Sequence, residues 1–314
     1  MLFGNAIREF ALSIGKKNFF TFGEIWDQNA EVDIARFIGR NTNMGGDLVG
    51  IDAALDYPLF NNLKPMVKGF TAPTAVSGMY QFRKSTEQDV LSSHGDATRY
   101  FVTFLDNHDV KERMRFMDPT NQPAQDEEVT AGLVSLFGLP GIPCVYYGTE
   151  QALHGRGSDP AVREALWGGP GFDETNPFCQ AISAIAGVRS KQAALRYGRF
   201  YFRPVSGDGQ NFGLSSFPGG VLAFARILND AEVVVVVNTS KSNPQALFVI
   251  VDQVLNPQGK SVQLLYSNAG GVGPVGGVQQ LSNTTVQEVD GSTSHGTLNA
   301  IRVTLRPMEA QILR

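Results

Sequence analysis

Phe101-Val102-Thr103-Phe104-Leu105-Asp106-Asn107-His108-Asp109 is an apolar run that stops abruptly in four polar residues, two of them acids, with a histidine between. Such a run reads as a buried strand whose last residues surface together. In a barrel of parallel strands wrapped by helices, catalytic side chains gather at the C-terminal strand ends, so a polar cluster in this place points to a site. Two further stretches share the build. Phe19-Phe20-Thr21-Phe22-Gly23 leads into Glu24-Ile25-Trp26-Asp27, and Gly141-Ile142-Pro143-Cys144-Val145-Tyr146-Tyr147 leads into Gly148-Thr149-Glu150. Any one of them is compatible with a strand carrying an ordinary polar cap. Three in order, separated by helical patterns, speak for a shared site.

Working outward, Leu2, Phe3, Ile7, Phe10, Ala11 and Ile14 recur at helical spacing before Gly15. The start lacks a basic region before its apolar part and a small-residue cleavage site after it, so it reads as an amphipathic helix already inside a domain. A first strand over 19–23 and a short helix over 31–38 ended by Gly39 follow, then a Gly/Asn-rich loop over 41–47. Residues 49–59 read as the second strand and its exit, although Ile51, Leu55 and Leu59 also fit helical spacing. Residues 65–83 read as helix with a break at Pro73, and 100–105 as the third strand. An amphipathic helix over 126–137 stops at Gly138-Leu139-Pro140 before the fourth strand, 142–147. The Gly- and Pro-rich loop 151–176 lies over a strand end, where such loops shape substrate clefts. Asn176 caps the next helix with Pro177 in its first turn, and that helix runs to about Leu195. Alternating strands and helices imply a parallel sheet with helices outside.

From about Tyr197 the pattern changes to short β-rich segments at 222–228, 233–237, 247–251, 262–266, 279–281, 285–289 and 300–305. Gly, Asn and Pro separate them, as in an antiparallel sandwich. The organisation expected is therefore an α/β domain over 1–197 and an all-β domain over 198–314.

The 314 residues suffice for two domains with a sizeable core. Hydrophobic residues at 42% and charged ones at 18% fit a globular protein, and 26 basic against 30 acidic residues leave a formal charge of -4. Nothing resembles the basic footprint of a nucleic-acid binder, and a neutral ligand suits this balance better. Cys144 and Cys179 are too few for a disulfide framework, and four scattered histidines make no metal-ligand spacing, so no cofactor or metal is expected. Cys144, inside an apolar strand pattern, is expected to be buried and inert. No run approaches the roughly 18 apolar residues of a membrane span.

Gly23-Glu24-Ile25-Trp26, Phe104-Leu105-Asp106-Asn107-His108-Asp109 and the segment 141–150, in that order, resemble later signature segments of the α-amylase family, glycoside hydrolase family 13. FLDNHD is the most specific of them. The resemblance covers most of residues 1–197 and, beyond them, architecture only. It implies a partial TIM-type (β/α) barrel, with the four strands as the fifth to eighth of eight, followed by an all-β antiparallel sandwich domain. It also implies an α-glucan oligosaccharide or polysaccharide as ligand.

Cleaving a glycosidic bond needs a proton donor for the leaving oxygen and a carboxylate that stabilises or captures the oxocarbenium-like sugar. Glu24 suits the first role. Set between Gly23 and the apolar Ile25-Trp26, its carboxyl is expected to be partly desolvated and so to hold a proton near neutral pH. By resemblance Glu24 is the general acid/base, Asp109 the second acid that hydrogen-bonds sugar hydroxyls, and His108 a ligand of the same sugar. A neutral imidazole offers one donor and one acceptor, a match to adjacent hydroxyls. Asp106 and Asn107 are expected to orient the loop, and Arg113 or Arg115 to pair with one of the acids. Trp26 and Tyr147 offer flat faces for a sugar ring, while Tyr146 reads as core.

The family's nucleophile is an aspartate in a G-x-R-x-D segment on the fourth strand, and an Asn-His segment on the third also lines its site. Neither occurs in these residues. The chain begins at what resembles the helix after the fourth strand, and the family's calcium site has no counterpart here. The expectation is a retaining glycoside hydrolase in truncated form, inactive or weak alone. The alternative is a non-catalytic glucan-binding or accessory protein of the same descent. Open barrel edges would favour self-association.

Overall fold

A computed structural model of the chain describes residues 2–26, 30–38, 50–86, 91–92, 95–115, 126–169 and 171–314. It divides into two compact units, one of Met1–Asn62, Gly78–Phe104 and Pro140–Cys144, the other of Leu63–Ser77, Leu105–Leu139 and Val145–Arg314. The expected loop at 41–47 lies outside the described residues.

In the first unit the expected strands run parallel and in chain order. β1 (Phe22–Gly23) pairs with β2 (Ala53–Ala54), Leu55 bridges to Val102, and β3 (Val102–Thr103) pairs with β4 (Ile142–Pro143). The ladders are short. Single bonds extend them, such as Leu55 N to Gly23 O at 2.9 Å and Cys144 N to Thr103 O at 2.7 Å. Helix α1 (Leu2–Ser13) precedes β1, and α2 (Ala30–Phe37) packs Ile34 and Ala35 against Ala53, Ala54 and Phe101, with Phe20 and Ile25 at the margin of this core.

The second strand does not continue to residue 59. Helix α3 (Tyr57–Val67) starts instead at Tyr57. Asp56 caps it, its Oδ1 accepting from Leu59 N at 3.1 Å, and Pro58 stands in the first turn, where a missing N–H costs nothing. The break expected at Pro73 is present, so residues 65–83 belong to two helices. Gly69, at φ 75°, turns the chain after α3, and Pro73 begins α4 (Pro73–Thr86). Cys144 is exposed, contrary to expectation. It lies just past β4, which pairs only with β3 among the described residues, so an apolar sequence pattern there does not mean burial.

The second unit holds α5 (Asp126–Gly138), α6 (Pro177–Lys191), α7 (Ala193–Tyr197) and the C-terminal strands. Asn176 caps α6, accepting from Phe178 N at 3.0 Å, but the helix breaks at Gln192 instead of running on to 195. Strands β5 (Arg199–Phe202), β6 (Val205–Ser206), β7 (Asn211–Phe212), β8 (Val221–Leu228), β9 (Ala231–Asn238), β10 (Gln245–Val251), β11 (Ser261–Ser267), β12 (Gly273–Gly277), β13 (Gln279–Gln287), β14 (Thr293–Leu305) and β15 (Ala310–Leu313) form two sheets. One runs β12-β11-β15-β9-β8-β5, the other β6-β10-β14-β13-β7. All their pairings are antiparallel except β13 with β7. Ala225, Val234 and Val236 from the first share one core with Leu247, Val249 and Ile301 from the second. The segments at 279–281 and 285–289 are one strand, β13, with a register shift between Leu281 and Thr284 where Asn283 takes φ 58°. The bulge breaks the alternation that a continuous strand would show.

Candidate active site

Glu24 directly follows β1 and is exposed, so the burial expected around it is not what holds it. The hydroxyl of Tyr57 donates to its Oε1 instead. Tyr57 is 2% exposed, with its ring edge-on to Phe104 at 5.1 Å and to Trp26 at 4.5 Å between centroids. Trp26 is 68% exposed, so Glu24 and Trp26 share one buried support and both face outward. Behind Tyr57, Arg83 forks onto both oxygens of Asp56, reaches Glu31 through Nε at 2.8 Å, and stacks on Phe101 at 4.5 Å. All three charged residues are buried. Removing one partner of such a group leaves a buried charge uncompensated, at about 3–5 kcal/mol.

In the second unit the polar end of the FLDNHD stretch is folded on itself. Asp106 is buried against the Nζ of Lys64 at 3.3 Å, and Lys64 also donates to Glu112 O at 2.7 Å. Burial pushes the Asp106 carboxyl up from the usual range, and the Lys64 ammonium opposes that rise. Asn107 Oδ1 accepts from Asp109 N at 2.7 Å, an Asx turn that presents His108 and Asp109 side by side. His108 Nε2 lies 3.1 Å from Asp109 Oδ2, and both side chains are exposed.

Of Arg113 and Arg115, expected to pair with one of the acids, neither is the cation on Asp109. Arg113 reaches Asp106 through its charge alone, opposing the rise of that carboxyl's pKa. Arg163 Nη2 donates to Asp109 Oδ1 at 2.7 Å and its Nε to His108 O at 3.0 Å. Arg113 is fully buried, pairs with Glu164, donates to Tyr147 O at 2.8 Å and lies 4.6 Å from the Tyr146 ring centre. Arg115 pairs with Asp126 at 2.7 Å. Arg163 comes from the Gly- and Pro-rich loop 151–176. That loop was the only sequence signal for it, because nothing local marks one arginine among several. Tyr147 is 40% exposed and stands edge-on to Tyr146 at 4.6 Å. The Tyr146 hydroxyl donates to Val162 O at 3.1 Å, and burial, with a hydrogen bond to Tyr147, pushes its pKa up to about 12.

Glu24 and Trp26 are thus brought together in one unit, and His108 and Asp109 in the other, where Tyr147 is tied to Arg113. Tyr57 and Arg163 are the residues that sequence reasoning missed. Among the described residues no group of three or more His, Cys, Asp or Glu is arranged to hold a metal ion. No described helix is long and apolar enough to cross a membrane.

No protein-family model matches the chain. The cyclomaltodextrin glucanotransferase of Klebsiella oxytoca is 26% identical over 294 residues, covering 84% of this chain and 39% of that protein. The beta/alpha-amylase of Paenibacillus polymyxa is 28% identical over 300 residues, covering 94% of this chain and 20% of that protein. The chain therefore spans well under half the length of these relatives. A crystal structure of an Anoxybacillus α-amylase superposes with a TM-score of 0.66 at 21% identity, over 99% of this chain and 55% of that one. This last likeness is one of fold.

Proposed function

The chain belongs to the α-amylase family of glycoside hydrolases, family 13, and on that premise we propose that it serves α-glucan chemistry with Glu24 as proton donor and acceptor. Asp109 and His108 bind sugar hydroxyls, and Trp26 and Tyr147 each offer a ring face to a sugar. Residues 1–197 correspond in this reading to strands five to eight of the family's barrel with their helices, and 198–314 to the β domain that follows it.

The observation that carries the reading is the side-by-side presentation of His108 and Asp109, with Arg163 neutralising one carboxylate oxygen. An exposed carboxylate beside an imidazole supplies acceptors and a donor for sugar hydroxyls. An ionised acceptor also strengthens each bond it makes.

Retaining hydrolysis needs two carboxyls about 5–5.5 Å apart, one of which attacks the anomeric carbon. Residues 1–314 contain no G-x-R-x-D segment, so by itself the chain binds α-glucans with little or no turnover. Calorimetry with maltoheptaose and reducing-end release from soluble starch test both parts. Binding that weakens about tenfold or more in Asp109→Asn, the loss of a charge-assisted hydrogen bond, is the expected result. No binding at any attainable concentration would sink the glucan reading, and robust sugar release would sink the weak-turnover part.

A further inference from the structure

We propose that Tyr57 is the positioning residue of Glu24, its hydroxyl holding one carboxylate oxygen so that the other faces outward to exchange a proton. The proposal rests on the reading of Glu24 as proton donor. It starts from the hydrogen bond between the Tyr57 hydroxyl and Glu24 Oε1.

A glutamate at a strand end has three side-chain torsions, and an exposed one samples many rotamers. A proton donor has to deliver its O–H along one line, so the freedom must be removed before the reaction. Burial does not remove it here, because Glu24 is exposed. Tyr57 does, and Tyr57 is itself fixed. It is 2% exposed and meets Phe104 edge-on at 5.1 Å, Phe60 at 6.3 Å and Trp26 at 4.5 Å. Its backbone is the first residue of α3, directly after Asp56, whose N–H bonds Val102 O at 2.9 Å and whose carboxylate is held by Arg83. A rigid chain of contacts thus runs from the strand ladder through Asp56 and Tyr57 to the Glu24 oxygen.

The proton balance follows from the inventory of donors. A neutral carboxyl carries one O–H, and a phenol at neutral pH carries another. With the phenolic hydrogen directed at Oε1, Oε2 is the oxygen left to carry the hydrogen that the proton-donor role requires. When that proton leaves for an acceptor, the charge left on Glu24 is met by a hydrogen bond already in place, which strengthens as the acceptor ionises. When the proton returns, Tyr57 has neither gained nor lost one. Trp26 covers the edge of the same ring, so a sugar stacking on Trp26 would lie beside a fixed carboxyl.

The test uses the 314-residue chain and its Tyr57→Phe variant, which removes one oxygen and keeps the ring. Side-chain NMR relaxation of isotope-labelled glutamate, assigned through Glu24→Gln, should show Glu24 ordered in the parent chain and disordered in Tyr57→Phe. The tryptophan band of the near-ultraviolet dichroism, at the long-wavelength edge where tyrosine does not absorb, should stay unchanged because the ring at position 57 still packs on Trp26. The reciprocal measurement needs no change at position 57. At fixed pH the ring-carbon resonance bonded to the Tyr57 hydroxyl should move in Glu24→Gln and stay in place in Glu9→Gln. Equal Glu24 order in the parent and Tyr57→Phe chains, or a Tyr57 resonance indifferent to Glu24→Gln, overturns the proposal. Neither readout involves sugar. A Glu24–Tyr57 link in a chain that binds no maltooligosaccharide refutes the glucan reading alone, and sugar binding without the link refutes the positioning role alone.

Discussion

Lys68 follows the last turn of α3 and is 2% exposed. Burial first, and then the neighbouring Lys64 charge, lower its pKa from 10.5 to about 8, while Glu112, Glu128 and Asp106 pull the other way. The folded chain therefore gives up this proton at lower pH than the unfolded chain does. Between about pH 8 and 10.5 the unfolded state binds more protons, so stability rises with pH across that window. The rise from this one group reaches at most about 3 kcal/mol. Urea unfolding of the parent chain and Lys68→Met at pH 7.5 and pH 10 should show the parent gaining on the variant at the higher pH. Parallel pH dependence in the two chains would contradict it. Glu24 and the FLDNHD end were legible at this scale, because a polar residue closing an apolar run is a local signal. Lys68 was not, since it reads as an ordinary surface lysine in a helical pattern.

At the scale of elements, Gly138 reads in sequence as the stop of α5, yet it is the last residue of that helix and its φ is not positive. Its smallness is needed for contact. A Cβ there would meet Phe224 Cζ at 2.9 Å and Val235 Cγ2 at 3.0 Å, and its carbonyl accepts from Arg226 Nη1 at 3.0 Å. Alanine gains up to about 1 kcal/mol of helix propensity over glycine, against about 1–3 kcal/mol for overpacking a rigid ring. Gly138→Ala should lower stability, whereas Gly187→Ala in α6, where nothing lies within 4 Å of the added carbon, should raise it by about 0.5–1 kcal/mol. Thermal unfolding of the two variants checks the contrast, and a shift of the same sign in both would refute it. The start of α3 shows the same division: residues 49–59 read as a strand and its exit, with Ile51, Leu55 and Leu59 also at helical spacing, and only the structure shows Asp56 capping a helix there.

At the scale of the whole molecule, the first unit leaves large apolar side chains on its surface, among them Phe3 at 73%, Phe10 at 63% and Phe37 at 55% exposed. β1 and β4 each pair on one side only among the described residues, and Phe22 and Ile142 on them are exposed. Exposed apolar surface and unpaired strand edges both favour association. Light scattering at tens of micromolar should report a mass above the 34.0 kDa of one chain, lowered by Phe3→Ser with Phe10→Ser. A clean monomer across that range would exclude it.

Hydrophobic periodicity and turn residues carried the parallel strand order, the change to β structure near residue 197 and the positions of Glu24, His108 and Asp109, because these signals act over a few neighbouring residues. Only the tertiary structure decided which groups hold them: Tyr57 on Glu24 across 33 residues, and Arg163 on Asp109 across 54. Such pairs form when loops close and bring distant side chains within hydrogen-bond reach, and no local pattern encodes which of several tyrosines or arginines will arrive.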